Sequence, residues 1–227
     1  MSESADQQVA SSRTVNERVR HLSALTVKRM PVYLRALNEM SAAGVEVVSS
    51  ADLARSTGLT SEQIRKDLAM LGGFGTRGVG YRTDALRTTI RDVLGLEREV
   101  AVGLVGAGHL GTALARYNES RRQQPRIVAI FDVDPAKIGQ RLGGCVVQPM
   151  ALVADCVQRL RIRLAIIAVP ARVAQEVAEI LVQAGCDALL NFAPLRLSLA
   201  DGVRVHNVDL AMELEALAYY VREPDPV

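Results

Sequence analysis

The sequence predicts an α/β protein in which an N-terminal winged helix-turn-helix domain precedes a Rossmann-type parallel sheet domain and a C-terminal helix. Three observations support this prediction. Three short helical patterns lie within about forty residues, a glycine-rich stretch follows the third, and apolar runs alternate with amphipathic helices from residue 99 onward. With 49% apolar residues among 227, the chain can form a substantial core in one large domain or two small ones.

The first helical pattern begins at Pro31, a residue type that suits the first turn of a helix. Tyr33, Leu37 and Met40 follow at spacings of four and three, which places them on one face. Gly44 is positioned to end this helix.

Two further helical patterns follow closely. One starts at Ser50 and stops at Gly58, and the next opens with Thr60 and Gln63 in a capping-box pattern. The apolar positions of the third helix are spaced i, i+4 and i+7: Ile64, Leu68 and Leu71. The four residues 58 to 61 join the two helices, a turn length typical of a helix-turn-helix.

The third helix and the stretch GGFGTRGVGYR at 72 to 82 are candidates for binding nucleic acid. Arg65 and Lys66 lie off the apolar stripe, and glycines allow a tight hairpin that would hold Arg77 and Tyr81 near a surface. A helix of this kind enters the major groove, and a hairpin wing contacts phosphates or the minor groove. The simpler interpretation of the stretch is a flexible hairpin or interdomain linker.

From residue 99 the pattern changes to strands and helices. Five strand-like runs occur in order: EVAVGLV (99–105), RIVAIFD (126–132), LAIIAVP (164–170), DALLNF (187–192) and VRVHNV (203–208). Helical patterns lie between most of them, notably LGTALARYNES and ARVAQEVAEILVQAG. A parallel sheet covered on both faces produces such continuous apolar strands. Residues 83 to 95 are predicted as a connecting helix, and residues 209 to 221 as a last helix with an uncovered apolar stripe.

The stretch VGAGHLG matches GxGxxG between a predicted strand and a predicted helix, the context that a dinucleotide-binding turn requires. Gly106 permits the turn, Gly108 allows backbone to approach a pyrophosphate, and Gly111 lets helix and strand pack. Asp132 ends the second strand, where an acid binds the adenosine ribose hydroxyls and favours NAD over NADP. Asp134 follows two residues later. The alternative is a glycine-rich turn without a ligand.

Composition excludes several classes of protein. Cys145, Cys156 and Cys186 are odd in number and lack metal-ligand spacing, so neither a disulfide framework nor a metal site is expected, which suits a cytoplasmic protein. The start of the chain is polar and no apolar run is long enough to span a membrane. A net charge of +2 implies no acidic partner by itself, so any nucleic-acid signal is local.

An NAD-dependent oxidoreductase with an N-terminal interaction module is the main alternative from a different class. Only one helix follows the fifth strand, which leaves little chain for a substrate domain. His206 is the one plausible general acid, and a partly buried histidine without a catalytic role is more common at such a position. No catalytic residues are therefore assigned.

From about Pro31 to Val221 the sequence resembles the Rex family of redox-sensing transcriptional repressors. The segments that carry the resemblance, in order, are VYLRAL, QIRKDLAMLGGFGTRGVGY, VGAGHLGTALARY, FDVDPAKIG, NFAP and HNVDLAMELEALAYY. His109 departs from the asparagine common in the family's glycine loop, and Leu210 stands where some members have an aromatic residue.

The resemblance implies a homodimeric repressor that binds double-stranded operator DNA, senses the NADH/NAD⁺ ratio and is released from DNA by NADH. It implies that the C-terminal helix is swapped onto the partner subunit. The implied NAD(H) contacts are Gly106, Ala107, Gly108, His109, Leu110, Gly111, Asp132, Val169, Pro170, Asn191, Ala193 and Pro194. The implied DNA contacts are Ser49, Ser50, Gln63, Arg65, Lys66, Arg77, Gly78 and Tyr81.

The resemblance further implies a switch in which Asp209 exchanges its hydrogen bond between Arg35 and Tyr117 as the ligand arrives. Without the resemblance, these residues are interpreted as a surface arginine, a half-buried tyrosine and an N-capping aspartate.

Four segments are expected along the chain. Residues 1–25 form a disordered arm, 26–95 the winged-helix DNA-binding domain, 96–208 the Rossmann NAD(H)-binding domain, and 209–227 the C-terminal helix that packs on the partner subunit.

Overall fold

The computed structural model describes residues 22–72, 75–76, 78–121 and 124–221. The chain divides into two compact units between Arg98 and Glu99. The N-terminal unit contains, in chain order, α1 (Ala24–Ala42), β1 (Val47–Val48), α2 (Ser50–Thr57), α3 (Ser61–Leu71), β2 (Gly75–Thr76), β3 (Gly80–Arg82) and α4 (Thr83–Val93).

The start of α1 corrects the sequence interpretation. The helix begins at Ala24, inside the predicted arm, and the Ser23 side chain caps it by accepting a hydrogen bond from the Thr26 N–H. Pro31 therefore lies inside the helix rather than in its first turn. The Pro31 ring is exposed, while its neighbour Met30 is buried on the apolar face of the same helix. The rest of the predicted arm, residues 1–21, lies outside the described residues.

The helices of the N-terminal unit enclose one apolar core. Its fully buried members come from all four helices and from β1, and include Met30, Leu37, Val48, Leu53, Ile64, Leu86 and Ile90. Gly58 ends α2 in the left-handed conformation at φ 70°, which glycine adopts without the penalty that a Cβ imposes. The short β-strands form an antiparallel sheet in the order β1-β3-β2. Helices α2 and α3 with this sheet form a winged helix-turn-helix, as predicted.

The C-terminal unit contains the larger sheet. Its elements are β4 (Ala101–Val105), α5 (His109–Arg121), β5 (Arg126–Asp132), β6 (Arg141–Leu142), β7 (Cys145–Pro149), a 3₁₀ turn (Met150–Leu152), α6 (Val153–Arg159), β8 (Leu164–Ile167), α7 (Ala171–Ala184), β9 (Ala188–Asn191), β10 (Arg204–Asn207), α8 (Leu210–Ala218) and a 3₁₀ turn (Tyr219–Val221). All three cysteines are free thiols. In the part of the chain that the structure describes, no helix is both long and apolar enough to cross a membrane.

The sheet order is β10-β9-β8-β4-β5-β7-β6, and every neighbouring pair is parallel except β6 and β7. The chain extends the sheet from β4 to β5 on one side, and later adds β8 on the other side of β4. Ligands of such sheets bind outside the carboxyl ends of the strands at this reversal. A ligand site is therefore expected at the turns that follow β4 and β8.

Both faces of this sheet are buried, which explains the continuous apolar runs. Val105, Phe131 and Ile167 point into one core with residues of α6 and α7. Leu104 and Ile130, their neighbours along the strands, point into a second core that includes residues of α5. Alternate side chains of one strand thus serve opposite cores.

Candidate functional site

The turn between β4 and α5 requires glycine at two of its three motif positions. Gly106 has φ 101°, and a Cβ there would lie 2.4 Å from the Ala168 carbonyl oxygen. A Cβ on Gly111 would lie 1.8 Å from the Gly106 carbonyl oxygen, a distance that no side chain tolerates. These two glycines hold the turn against β8 and bring α5 onto the strand.

Gly108 differs from its two neighbours in the motif. A Cβ added to it would meet no atom within 4 Å, and its backbone has no positive φ. The fold of the free chain therefore does not explain why glycine stands here. The space beside Gly108 is open to a ligand, and the N-terminus of α5 next to it favours an anionic group such as a pyrophosphate.

Asp132 at the end of β5 contacts this turn directly. Its Oδ2 accepts a hydrogen bond from the Ala107 N–H at 2.7 Å, and its Oδ1 accepts one from the Asp134 N–H at 2.9 Å. Burial acts to raise the pKa of Asp132, but these backbone hydrogen bonds and the Lys137 ammonium hold that pKa below its usual value. The carboxylate is therefore ionised at neutral pH.

A cavity of about 500 Å³ opens beside the turn. Five of the predicted dinucleotide contacts line it: Gly106, Gly108, Asp132, Val169 and Pro170. Sequence reasoning missed other lining residues, namely Lys137 and Met150, and the α7 side chains Arg172, Val173 and Glu176. The three α7 residues follow Pro170 at i+2, i+3 and i+6. A helix that starts directly after a strand was the signal in the sequence that could have predicted them as lining residues.

A second cavity, of about 620 Å³, lies in the same unit. Predicted contacts Ala193 and Pro194 line it, together with Asn207, Asp209 and Met212. The other predicted contacts at the turn line neither cavity: Ala107, His109, Leu110 and Gly111.

Asn191 is fully buried and shapes the loop that carries Ala193. Its Nδ2 donates to the carbonyl oxygens of Ala193 and Leu195 at 3.1 and 2.8 Å and to Asn207 Oδ1 at 2.9 Å. Its Oδ1 accepts from the Ala193 N–H at 3.0 Å. The amide is thus used within the protein, and the loop it holds forms the wall of the second cavity.

His206, the candidate general acid of the oxidoreductase alternative, is exposed on β10 and lines neither cavity. A general acid must come within hydrogen-bond reach of the group that it protonates. The position of His206 gives no support to a catalytic role.

The exposed face of α3 carries two of the predicted DNA contacts. Arg65 is exposed and its Nη1 donates to Ser50 Oγ at 3.2 Å, and Lys66 forms an exposed ion pair with Glu62 at 3.0 Å. Surface pairs of this kind contribute about 1 kcal/mol or less, so both cations can contact a phosphate or base. Ser49 caps α2 in a complete capping box with Asp52.

The wing between β2 and β3 exposes Gly78 at its tip. Gly78 is exposed with φ 82°. Tyr81 is half-buried, and its ring covers Gly75 so closely that a Cβ there would lie 2.7 Å from Tyr81 Cε1. Arg77 lies outside the described residues.

Sequence reasoning missed the buried carboxylate of Asp67 on α3. The Nε and Nη2 of Arg29 donate to its two oxygens at 2.6 and 2.8 Å, and the Tyr33 hydroxyl donates to Oδ2 at 2.7 Å. Gln63 Nε2 donates to Oδ1 at 3.0 Å, so this predicted DNA contact is engaged inside the unit instead of closing a capping box. Burial acts to raise the pKa of Asp67, but these donors hold that pKa below its usual value.

The three predicted switch residues lie on separate elements. Arg35 is exposed on α1. Tyr117 on α5 is 56% exposed, with the Arg121 guanidinium carbon 5.6 Å from its ring centroid. Asp209 caps α8 by accepting hydrogen bonds from the N–H groups of Ala211 and Met212 at 3.0 and 3.3 Å.

The C-terminal helix has a large uncovered apolar surface. Its large apolar side chains are all at least 60% exposed: Leu210, Met212, Leu214, Leu217, Tyr219, Tyr220 and Val221. A contiguous exposed apolar patch marks an interaction site.

Two family models match the chain. A CoA binding domain model matches residues 97–195, and a model of a putative DNA-binding protein N-terminus matches residues 21–69. Among curated relatives, the redox-sensing transcriptional repressor Rex of Natranaerobius thermophilus is 46% identical and covers 87% of this chain and 90% of its own. The Rex protein of Brevibacillus brevis is 42% identical, covering 88% and 97%.

Solved structures of related proteins also match this chain. The crystal structure of RSP in complex with β-NAD⁺ and operator DNA has a TM-score of 0.82 at 34% identity, and covers 88% of this chain and 92% of that one. RSP in complex with β-NADH has a TM-score of 0.79 at 32% identity, covering 88% and 94%. With more than 40% identity over nearly the whole of both chains, the protein belongs to the Rex family of redox-sensing transcriptional repressors.

Proposed function

We propose that this chain is a DNA-binding transcriptional repressor that senses NADH relative to NAD⁺ and leaves operator DNA when NADH binds. The glycine turn beside a cavity lined by Gly108 and Asp132 carries this proposal, because its open space can receive the pyrophosphate of a dinucleotide. The same chain exposes Arg65 and Lys66 on the third helix of a winged helix-turn-helix. RSP, its solved relative, binds β-NAD⁺ with operator DNA in one structure and β-NADH in another.

The dinucleotide site extends across the carboxyl ends of the strands. The pyrophosphate lies at residues 106–111 and the adenosine ribose at Asp132, while the loop at Ala193 and Pro194 receives the nicotinamide. The protein supplies binding and no catalysis, and it works in the cytoplasm, where its DNA and NADH are found.

A labelled operator duplex tests the function. NADH should release the duplex and NAD⁺ should not, with no turnover of NADH against a panel of carbonyl substrates. Release by neither nucleotide, together with steady oxidation of NADH, would instead identify an oxidoreductase.

The first prediction concerns Arg65 and Lys66. If Lys66 contacts a phosphate, Lys66→Ala should weaken binding to every duplex and reduce the salt slope by about 1. If Arg65 reads a base, Arg65→Ala should cost about 1–3 kcal/mol and relax specificity at one position. Fluorescence anisotropy across a salt series measures both.

Arg91→Ala is the matched control for this pair, since Arg91 on α4 is also ion-paired, with Glu97 at 2.7 Å. It should leave affinity and salt slope unchanged. Parental binding by both α3 variants would remove these residues from the DNA interface.

The second prediction concerns assembly. The apolar stripe of α8, Leu210, Leu214, Leu217 and Val221, is suited to pack on a second copy as a swapped helix, which would give a homodimer. Leu214→Glu buries a charge in that interface and should shift the dimer toward monomer by at least tenfold in dissociation constant. Sedimentation velocity measures the shift.

Glu215→Gln, a change at an exposed polar position of the same helix, should leave the dimer intact. A parent chain that sediments as a monomer at micromolar concentration would contradict the swapped-helix proposal.

The third prediction concerns the switch. Asp209 would exchange a hydrogen bond between Arg35 and Tyr117, which gives the two ligand states the different contacts that coupling requires. Tyr117→Phe and Asp209→Ala should each leave both ligands bound yet reduce the factor by which NADH weakens DNA binding. Anisotropy titrations with and without NADH measure this factor.

Asp209→Ser separates this role from helix capping, because serine can accept the same backbone hydrogen bonds. It should lose coupling as Asp209→Ala does. Parental coupling in Asp209→Ser would reduce Asp209 to a helix cap, and parental coupling in Tyr117→Phe would place the switch elsewhere.

A further inference from the structure

The adenosine end of the first cavity holds a cluster of three charged side chains that the proposed function uses only in part. The Lys137 ammonium lies 3.3 Å from Asp132 Oδ2 and 3.5 Å from Asp134 Oδ2. Asp132, Asp134 and Lys137 all line the cavity. One cation thus stands between two carboxylates at the place where a ribose would bind.

Part of the hydrogen-bonding capacity of this cluster is not used within the protein and is free for a ligand. Asp132 Oδ2 accepts from both Ala107 and Lys137, while Oδ1 accepts from the Asp134 N–H and keeps one further acceptor position. Lys137 has three N–H donors, of which one donates to Asp132 Oδ2, while Asp134 Oδ2 lies 3.5 Å away as an ion-pair partner. Asp132 Oδ1 therefore keeps an acceptor position and Lys137 keeps N–H donors, which suits a neutral ribose hydroxyl.

The charges that line the cavity oppose a phosphate at the same place. Three acids, Asp132, Asp134 and Glu176, face two bases, Lys137 and Arg172, so the lining carries a net charge of 3 − 2, or one negative charge. The 2′-phosphate that distinguishes NADPH from NADH would add up to two more. Lys137 could attract that phosphate, but its charge is already balanced by the carboxylates on either side.

We propose that Asp134 is a second residue that sets the preference for NADH over NADPH, and that it acts by neutralising Lys137. Asp132 repels a 2′-phosphate directly. Asp134 withholds the Lys137 ammonium from that phosphate. This inference rests on the proposed function, since it concerns the same dinucleotide site.

Asp134→Asn tests the inference with little structural disturbance. Asp134 Oδ1 accepts a hydrogen bond from the Ala136 N–H at 3.0 Å, and asparagine retains this acceptor while it loses the charge. NADPH affinity should rise about fivefold, the scale of one partly solvated charge interaction, while NADH affinity changes less than twofold. Titration of the full-length protein with each nucleotide by calorimetry gives the ratio.

Two further variants show whether Lys137 carries the effect. Adding Lys137→Met to Asp134→Asn should abolish the gain in NADPH affinity. Glu176→Gln removes the same charge from the same cavity, but no ion pair joins Glu176 to Lys137 among the described residues, so its gain should stay below twofold.

Unchanged NADPH affinity in Asp134→Asn, a gain that persists without Lys137, or an equal gain in Glu176→Gln would each overturn the inference. The parent protein separates this failure from that of the proposed function. If the parent binds NADH and releases operator DNA, the function stands whatever Asp134 does, and if the parent binds neither nucleotide, both fail.

Discussion

Gly111→Ala is expected to abolish NADH binding and to destabilise the C-terminal unit. The new Cβ would lie 1.8 Å from the Gly106 carbonyl oxygen, and both atoms near this contact are backbone, so the turn must move away from α5. Overpacking of this kind costs about 1–3 kcal/mol, and the displaced turn no longer fits a pyrophosphate. We expect NADH affinity to fall by more than about a hundredfold. Calorimetric titration and thermal unfolding measure the two effects.

Gly108→Ala is the informative control for this prediction. Its Cβ meets no protein atom within 4 Å, so the free energy of unfolding should change by less than about 0.5 kcal/mol. Because the methyl group occupies the space reserved for the ligand, NADH binding should still be lost. The variant should therefore bind operator DNA that NADH cannot release. Parental NADH affinity in Gly108→Ala would show that no pyrophosphate approaches this turn.

Asp67→Asn is expected to lower the free energy of unfolding of the N-terminal unit by about 3 kcal/mol. The substitution leaves the Arg29 guanidinium without its counter-ion and turns an amide donor toward groups that themselves donate. Since Asp67 joins α3 to α1 through Arg29 and Tyr33, operator affinity should fall with stability. Hydrogen exchange of α1 and α3 amides in the full-length protein reports the stability of this unit.

The pH dependence of the Asp67 contribution has a defined sign. The folded protein holds the pKa of Asp67 below its unfolded value of about 3.9. The stabilisation is therefore present above that value and is lost as pH falls through the folded pKa. Asp67→Asn should flatten the acid limb of the stability profile. Asp84→Asn, which removes an exposed carboxylate paired with Arg87, should change stability by less than about 1 kcal/mol, and an equal loss in both variants would contradict the role of Asp67.

Patterns within one segment were sufficient to predict most elements. The predicted run RIVAIFD has the same first and last residues as β5. In a sheet covered on both faces, an apolar run between polar residues is buried as a strand over its whole length. Thr60 caps α3 as expected, and its side chain accepts from the Gln63 N–H at 3.2 Å. These features depend on neighbours in sequence, which a sequence displays directly.

Features that depend on distant residues were missed. Strands β6 and β7 are short, and their pairing across the Gly143 and Gly144 turn becomes visible only when β7 adds to β5. Asp67 reads as an exposed helical acid until α1 brings Arg29 to it, 38 positions away in sequence. The start of α1 was placed at Pro31 because proline suits a first turn, although an exposed proline can also lie inside a helix that the core holds.

In the candidate site, too, local features were predicted and residues brought together by the fold were missed. The glycine motif was predicted from its spacing and Asp132 from its position at the end of the second strand, and the structure joins them through the Ala107 N–H. Lys137, Arg172 and Glu176 have no motif of their own, and they reach the cavity only through the turn after β5 and the first turns of α7.

The coupling between the two ligands tests the central claim most directly. NADH affinity is measured by titration of the full-length protein, first alone and then with saturating operator duplex. Because coupling is reciprocal, the duplex should weaken NADH binding by the same factor by which NADH weakens operator binding, about fivefold or more. Equal NADH affinity with and without bound operator would show that the protein binds both ligands without sensing one through the other, and would contradict the account.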